Sequence, residues 1–420
     1  MYFGKMEEEE DIAAAALLTK GAVTVSLIHC ILNVGDCQER KAQASRNRWA
    51  RLTEEEKRRR SKKVPRPSTV PPQRSPWYTL YYRGDQQAFI TVTGLDPACF
   101  HELLTVFKPL FDSNSPYSSN DGYIRCICQT EKRGRPRKIT AHACLGLVLY
   151  WTRTTTFYWE MAGYFGMVTS CCDLWLRFGK RLLLRILSQR TDAQVRMPVE
   201  QKLEDYKKVV SARHPALKHT CFVADGMKVL IGRSGLFLTQ ERFYNGWKGD
   251  HFITNLFVFC PDGTICAALI NAPGNCHDSE LASYGSRSIY AKLDEWHERY
   301  GVQCVMDSAF CTRNRQSCIK SVPRDRVTQV ASSPEEIAIL DQALSLRQSA
   351  EWGMRALQGS MPRLKARWVY EERDERRVSL LMMVLLYNYR ANNMDLNQIR
   401  SVYWNSAVME SDEESSGAGT

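Results

Sequence analysis

Hydrophobic positions follow two different rhythms along this chain. From Trp77 to roughly residue 205 they recur at helical spacing, and from about residue 215 they come in short runs bounded by turn residues. Phe100, Leu103, Leu104, Phe107 and Leu110 make one helical stripe. Asp96-Pro97 just before it is a start signal, with Asp96 as the cap and Pro97 in the first turn. Further helices are expected from Thr140 to about Arg153, from near Thr156 to Phe165, and, after the break Gly166–Ser170, on to about Ile186. Beyond residue 215, Phe222–Ala224 reads as a strand that either stops there or runs on through Asp225-Gly226 into Lys228–Ile231. His251–Cys260 and Ile265–Ala272 read as strands joined by the turn Pro261-Asp262-Gly263-Thr264. Helices follow after Asp278-Ser279-Glu280 and from Tyr290 to about Tyr300, and Gln303–Met306 is a fourth strand. Helices near Pro334–Leu346, Leu346–Leu357 and Val378–Arg390 close the pattern.

Helix, tight turn, longer helix is the shape of a helix-turn-helix reader, and Arg177, Lys180, Arg181 and Arg185 give its last helix positive charge. Plain packing of a helix pair is the competing reading. A meander of strands, a helix, a further strand and then helices is the order of an RNase H-like core. The expected fold class is therefore α/β: an RNase H-like catalytic core, a mixed sheet flanked by helices, preceded by an all-α helix-turn-helix-like region. Four segments follow: a largely disordered basic arm at 1–76, a helical DNA-binding region at 77–205, the core at 206–405, and an acidic disordered tail at 406–420.

With 420 residues, 44% hydrophobic and 25% charged, the chain can bury a large core. Lys+Arg 57 against Asp+Glu 46 leaves a net +11, which favours a polyanionic partner. The 15 cysteines are scattered, and Cys144, Cys221, Cys260 and Cys304 sit in apolar runs, so a reducing compartment is expected. Residues 12–32 are apolar but contain Lys20 and His29 and follow the acidic run Glu7–Asp11. That fits an amphipathic or partner-binding segment better than a signal peptide or a membrane span. The cluster Lys57-Arg58-Arg59-Arg60-Ser61-Lys62-Lys63 reads as a nuclear-import signal or phosphate-contacting arm, or as plain solvated charge. Arg133-Gly134-Arg135-Pro136, followed by Arg137, matches the core of an AT-hook, and equally a basic interdomain loop.

Three acids carry the candidate chemistry. Asp225 ends the run Cys221–Ala224, Asp307 ends Val302–Met306, and Glu351 lies in a helical stretch. Singly, each has an ordinary explanation: an Asp after a strand caps a turn, and Glu351 pairs with Arg347 or Arg355 one turn away. Together they form an all-oxygen set suited to Mg²⁺ or Mn²⁺. Like charges about 4 Å apart repel by roughly 4 kcal/mol at an effective dielectric of 20, so convergence calls for a cation. Two ions about 3.5–4 Å apart would serve phosphoryl transfer, with Asp225 bridging and Asp307 and Glu351 holding one ion each.

The stretch 222–390 resembles the DDE endonuclease domain of PIF/Harbinger-type transposases and their domesticated nuclease-like relatives. The matching residues are Val223-Ala224-Asp225-Gly226, Tyr244-Asn245-Gly246-Trp247-Lys248 and Pro261-Asp262-Gly263-Thr264-Ile265. They continue with Pro273-Gly274-Asn275-Cys276-His277-Asp278-Ser279, Val305-Met306-Asp307-Ser308, Arg347 with Glu351 and Gly353, and Leu386-Tyr387-Asn388. The resemblance implies that Asp225, Asp307 and Glu351 are the catalytic, metal-binding triad of a nuclease. Such an enzyme would cut transposon ends and join them to a target duplex. It also implies a Myb/SANT-like DNA-binding partner, a nuclear location (cytoplasmic without that partner), self-association, and no membrane. Candidate DNA contacts are Lys248, His251, Arg313 and Arg347 in the core, with Arg133, Arg135, Arg137, Arg177, Lys180 and Arg181 in the helical region. Asp278 either approaches the metals or caps the helix after Gly274, and capping is the favoured expectation. Trp247 and Asp250 depart from the smaller or basic residues common in relatives. A second reading is a domesticated, non-cutting protein that binds DNA or chromatin.

Overall fold

The computed structural model describes residues 70–116, 125–126, 137–233, 237–285, 288–310, 315–368, 373–394 and 396–405. The segment 12–32, the cluster 57–63, Arg133, Arg135, Arg313 and the acidic tail lie outside the described residues.

The helical layer forms as its periodicity predicts. Helices α1 (Pro76–Arg83), α2 (Gln86–Thr93), α3 (Pro97–Ser113), α4 (Ala141–Arg153), α5 (Tyr158–Tyr164) and α6 (Thr169–Gln189) follow in order. Asp96 caps α3 by accepting from Cys99 N at 2.7 Å, and Thr140 caps α4 through Ala143 N. These side-chain oxygens satisfy backbone donors that a first helical turn leaves open. Helix α7 (Glu200–Arg213) straddles the boundary expected near residue 205 and buries Leu203, Tyr206, Val209 and Val210.

The sheet is mixed, in the order β3-β2-β1-β4-β5. Its strands are β1 (Thr220–Leu230), β2 (Asp250–Phe259), β3 (Ile265–Pro273), β4 (Gln303–Met306) and β5 (Cys318–Lys320). β2 is antiparallel to β1 and β3, whereas β4 and β5 run parallel to β1. A short strand, Tyr244–Asn245, pairs with the start of β2. The helix α8 (Phe237–Phe243) precedes it, and α9 (Asp278–Ser283) and α10 (Ile289–Tyr300) connect β3 to β4. Two long helices follow, α11 (Pro334–Ser360) and α12 (Arg373–Asn393).

Of the two readings open for β1, the longer holds: the strand runs through Asp225 to Leu230, because its pairing with β2 continues to Leu230↔Phe252. The two helices expected over Pro334–Leu357 are one helix, started by Ser333, which accepts from Glu336 N, and by Pro334 in the first turn. β5 was not foreseen; three residues are too few to show a period.

Successive side chains on a strand face opposite sides, and the burial follows that alternation. Val223, Met227, Val229, Phe257, Phe259 and Val305 lie in the cluster that includes Leu346, Ala350 and Leu357 of α11 and the apolar residues of α12 from Leu380 to Tyr389. Phe222, Ala224, Leu256, Val258, Cys304 and Met306 lie in a second cluster with Leu203 and Tyr206 of α7 and Tyr290, Leu293 and Trp296 of α10. The sheet is thus covered by helices on both faces.

The first cluster does not end at the sheet. It runs without a break into Trp77, Phe100, Leu147, Trp151, Leu182 and Ile186 of the helical layer. Helix α12 makes the join, packing against α6 on one side and β3 on the other. Asn388, 1% exposed, clips it to the hairpin: its carboxamide oxygen accepts from Ile265 N at 2.8 Å, and its nitrogen donates to the carbonyls of Ile265 and Gln194. Cys144, Cys221, Cys260 and Cys304 are free thiols in the core, as their apolar settings predict. No described helix is long and apolar enough to cross a membrane.

Candidate active site

β1 and β4 pair in parallel as far as Ala224↔Met306. Asp225 and Asp307 each come one residue later, side by side where the two strands part. Asp225 shares the parity of Val223 and Met227, so it faces the side of the sheet covered by α11. There the helix carries Glu351 on the edge of its buried stripe Leu346, Ala350, Gly353, Met354 and Leu357. A Cβ on Gly353 would lie 2.8–2.9 Å from the Phe259 ring, so glycine lets α11 settle close to β2.

Arg347 joins the acids. One guanidinium nitrogen lies 3.5 Å from Asp307 Oδ1, and another donates to Glu351 Oε1 at 3.1 Å. Arg355 stands 3.8 Å from the other Glu351 oxygen. Asp225 Oδ1 accepts from Gly226 N at 2.7 Å. Burial pushes the Asp225 carboxyl up to about 6; the Gly226 N–H and Arg347 oppose the rise, while Asp307 and Asp278 add to it.

Asp278 is the fourth acid, and its expected capping role is corrected. His277 is the cap of α9, and Glu280 answers it by accepting from His277 N. Asp278, at the first helical position, turns to β1. A Cβ on Gly226 would stand 2.8 Å from Asp278 Oδ2, so the bare backbone there is what admits the carboxylate. Gly226 alternates with Asp225, which brings Asp278 against the strand from the opposite face. Asp278 Oδ1 is buried without a hydrogen-bond partner. Burial raises the Asp278 carboxyl, Lys228 and His277 oppose this, and Asp307 adds to it. The spacing of Glu280, three residues after His277, was the sequence signal that the cap lies at 277.

Among the described residues, no group of three or more His, Cys, Asp or Glu side chains is gathered closely enough to hold a metal ion. The expected cage is instead a set of acids strung around Arg347. Their chemistry still fits a hard divalent cation. Asp225 is buried beside two other carboxylates, and an Asp278 oxygen is buried with nothing to donate to it. Buried negative charge of this kind is costly unless a cation answers it.

The expected DNA contacts divide. Lys248 is exposed on the turn after Asn245. Arg347 is engaged with Asp307 and Glu351. His251 is only 3% exposed, with its ring beside Tyr244, and does not reach the surface. In the helical layer, Lys180 is 2% exposed, donates to Ser379 Oγ at 3.0 Å and lies over the Trp151 ring. Arg181 pairs with Glu375 of α12. Arg137 donates to the carbonyls of Phe111 and Asn114 and lies over the Phe111 ring. Arg177 pairs with Asp173 one turn away. α6 is a core helix along Cys172, Leu176, Leu183 and Leu187, with Lys180 and Arg181 engaged by α12 and Arg177 on its exposed side.

A mixed sheet flanked by helices, with acids where its parallel strands part, is consistent with a DDE nuclease core. Residues 224–388 match the family model described as DDE superfamily endonuclease, which supports the DDE superfamily for that stretch. The match begins one residue before Asp225 and ends at Asn388, so it spans all four acids and the buried clip on α12. No curated protein and no solved structure matches the chain.

Proposed function

We propose that the chain is a divalent-metal-dependent DNA endonuclease of the PIF/Harbinger transposase type, with an RNase H-like core that cuts phosphodiesters at transposon ends and joins strands to a target duplex. One observation carries the reading: Asp225 and Asp307 lie side by side past the last paired residues of β1 and β4, and Arg347 ties Glu351 to Asp307.

Asp225, Asp307 and Glu351 would hold Mg²⁺ or Mn²⁺, with Asp278 adding charge from the other face. Two ions bound there would supply an activated water or 3′-hydroxyl and stabilisation of the leaving oxygen. The chain's own residues do the positioning. Gly226 N–H fixes one Asp225 oxygen. Arg347 orients Glu351 and offsets the acids' repulsion, and it is placed to turn toward a phosphate. Lys248 offers a further phosphate contact at the rim. The same reading puts the chain in the nucleus, with a Myb/SANT-like partner reading the ends.

The test is strand cleavage by the full chain, alone and with such a partner, on duplexes bearing the element's ends in Mg²⁺ or Mn²⁺. Cleavage that needs metal and disappears in Asp225→Asn supports the reading. DNA binding without cleavage under every condition overturns it.

A further inference from the structure

A cleft of about 250 Å³ opens beside the acids, lined among others by Lys228, Trp247, Lys248, Asn275, His277 and Asp278. Trp247 is 93% exposed, the most exposed of the large apolar side chains described. A lone apolar side chain in water is ordinary. This one differs in what holds it and in what surrounds it. Its turn is anchored by Asn245, which is buried, donates to Gly274 O at 2.8 Å and accepts from Lys248 N at 3.1 Å. Gly249 N donates to Asn245 O at 2.9 Å, which closes the turn. A fixed support thus presents an indole to solvent between two lysines, in a cleft that leads to Asp278 and so to Gly226 beside Asp225.

Flat aromatic surface next to amines suits a nucleotide whose base is out of its stack: the ring takes the base and the amines take the phosphates. Paired bases inside a duplex have no free face to offer. We propose that this cleft receives an unpaired nucleotide of the DNA strand next to the bond that is cut, its base stacked on Trp247 and its phosphates at Lys228 and Lys248. The inference rests on the DNA-cutting reading and adds the state of the strand: the DNA is opened or flipped at the site. Trp247 is then a substrate-positioning side chain, and Asp278 at the inner end keeps phosphate toward the lysine rim.

The test reads binding alone, in EDTA, with the full chain. The probes are a single-stranded DNA oligonucleotide carrying 2-aminopurine and its blunt duplex. The wild type is expected to bind the single strand with quenching of the 2-aminopurine. Trp247→Ala should lose on the order of tenfold in single-strand affinity together with the quench, Trp247→Phe should keep most of both, and duplex affinity should be equal in all three. Single-strand binding and quenching unchanged in Trp247→Ala would overturn the proposal, as would tighter binding of the same sequence as RNA. A thermal melt of each variant shows that it is folded. Failure of the nuclease reading would appear separately, as DNA binding by the wild type with no metal-dependent cleavage under any condition.

Discussion

The end of the sheet and the helical layer use charge in opposite ways. In the layer, Lys180, Arg181, Arg137 and Arg177 each have a partner that accounts for them, an aromatic ring, a carbonyl or a carboxylate. At the sheet end, Asp307 and Glu351 share the Arg347 guanidinium, burial holds Asp225 well above its ordinary range, and an Asp278 oxygen has no donor. The contrast separates two uses of charge: satisfied charge builds the fold, and unsatisfied buried charge marks a site.

The largest effect that sharpens the contrast is on chemistry. Asp225→Asn keeps the size and the hydrogen bond from Gly226, and should lower metal-dependent cleavage on the order of a thousandfold in single-turnover assays. A melting temperature no lower than that of the wild type would show that the loss is not one of folding. Within the helical layer the expected loss is of stability instead. Lys180→Ala leaves a cavity under Trp151 and an unanswered Ser379 hydroxyl, and should cost about 3 kcal/mol in denaturant unfolding. DNA affinity of the folded fraction should stay as in the wild type; a specific loss of binding would restore α6 as a reading helix.

Acid titration separates the regions next. The folded-state value of Asp225, about 6, lies above the ordinary 3.8, so the metal-free folded chain holds a proton longer than the unfolded chain does. Stability from this group is therefore present below about pH 4 and is lost as pH rises through about 6. The loss is on the order of 3 kcal/mol, from the rise between 3.8 and about 6 at 1.36 kcal/mol per pH unit. Melts of the metal-free protein between pH 4 and 7 should show the decline, and Asp225→Asn should flatten it. Smallest of all, Arg177→Ala removes an exposed pair with Asp173 and should change stability by about 0.5 kcal/mol or less. A larger loss would mean that the pair supports the layer.

Much of this was legible in the residues. The cap at Asp96, the helix starting at Thr140, the hairpin at Pro261–Thr264 and the strand Gln303–Met306 follow from local chemistry, and local chemistry survives folding. The acids were legible because each ends an apolar stretch or sits beside one. Their exact setting was not. Asp225 is mid-strand because β2 pairs past it while β4 stops, and only the register carries that information. Lys180 was misjudged although the signal was present, since it lies on the same helical stripe as Leu176, Leu183 and Leu187. Helix α7 was missed because a boundary had been drawn through it. The long α11 was split although nothing between Ser333 and Ser360 interrupts it.

Helix α12 has a practical corollary for anyone cutting the chain into pieces. The matched stretch 224–388 contains most of this helix but none of the partners on its α6 side. A fragment starting there would lose the Lys180–Ser379 hydrogen bond and the Arg181–Glu375 pair and bare the face of α12 that packs on α6, inviting aggregation. Chimeras with other transposases should therefore exchange the helical layer and the sheet as one cassette.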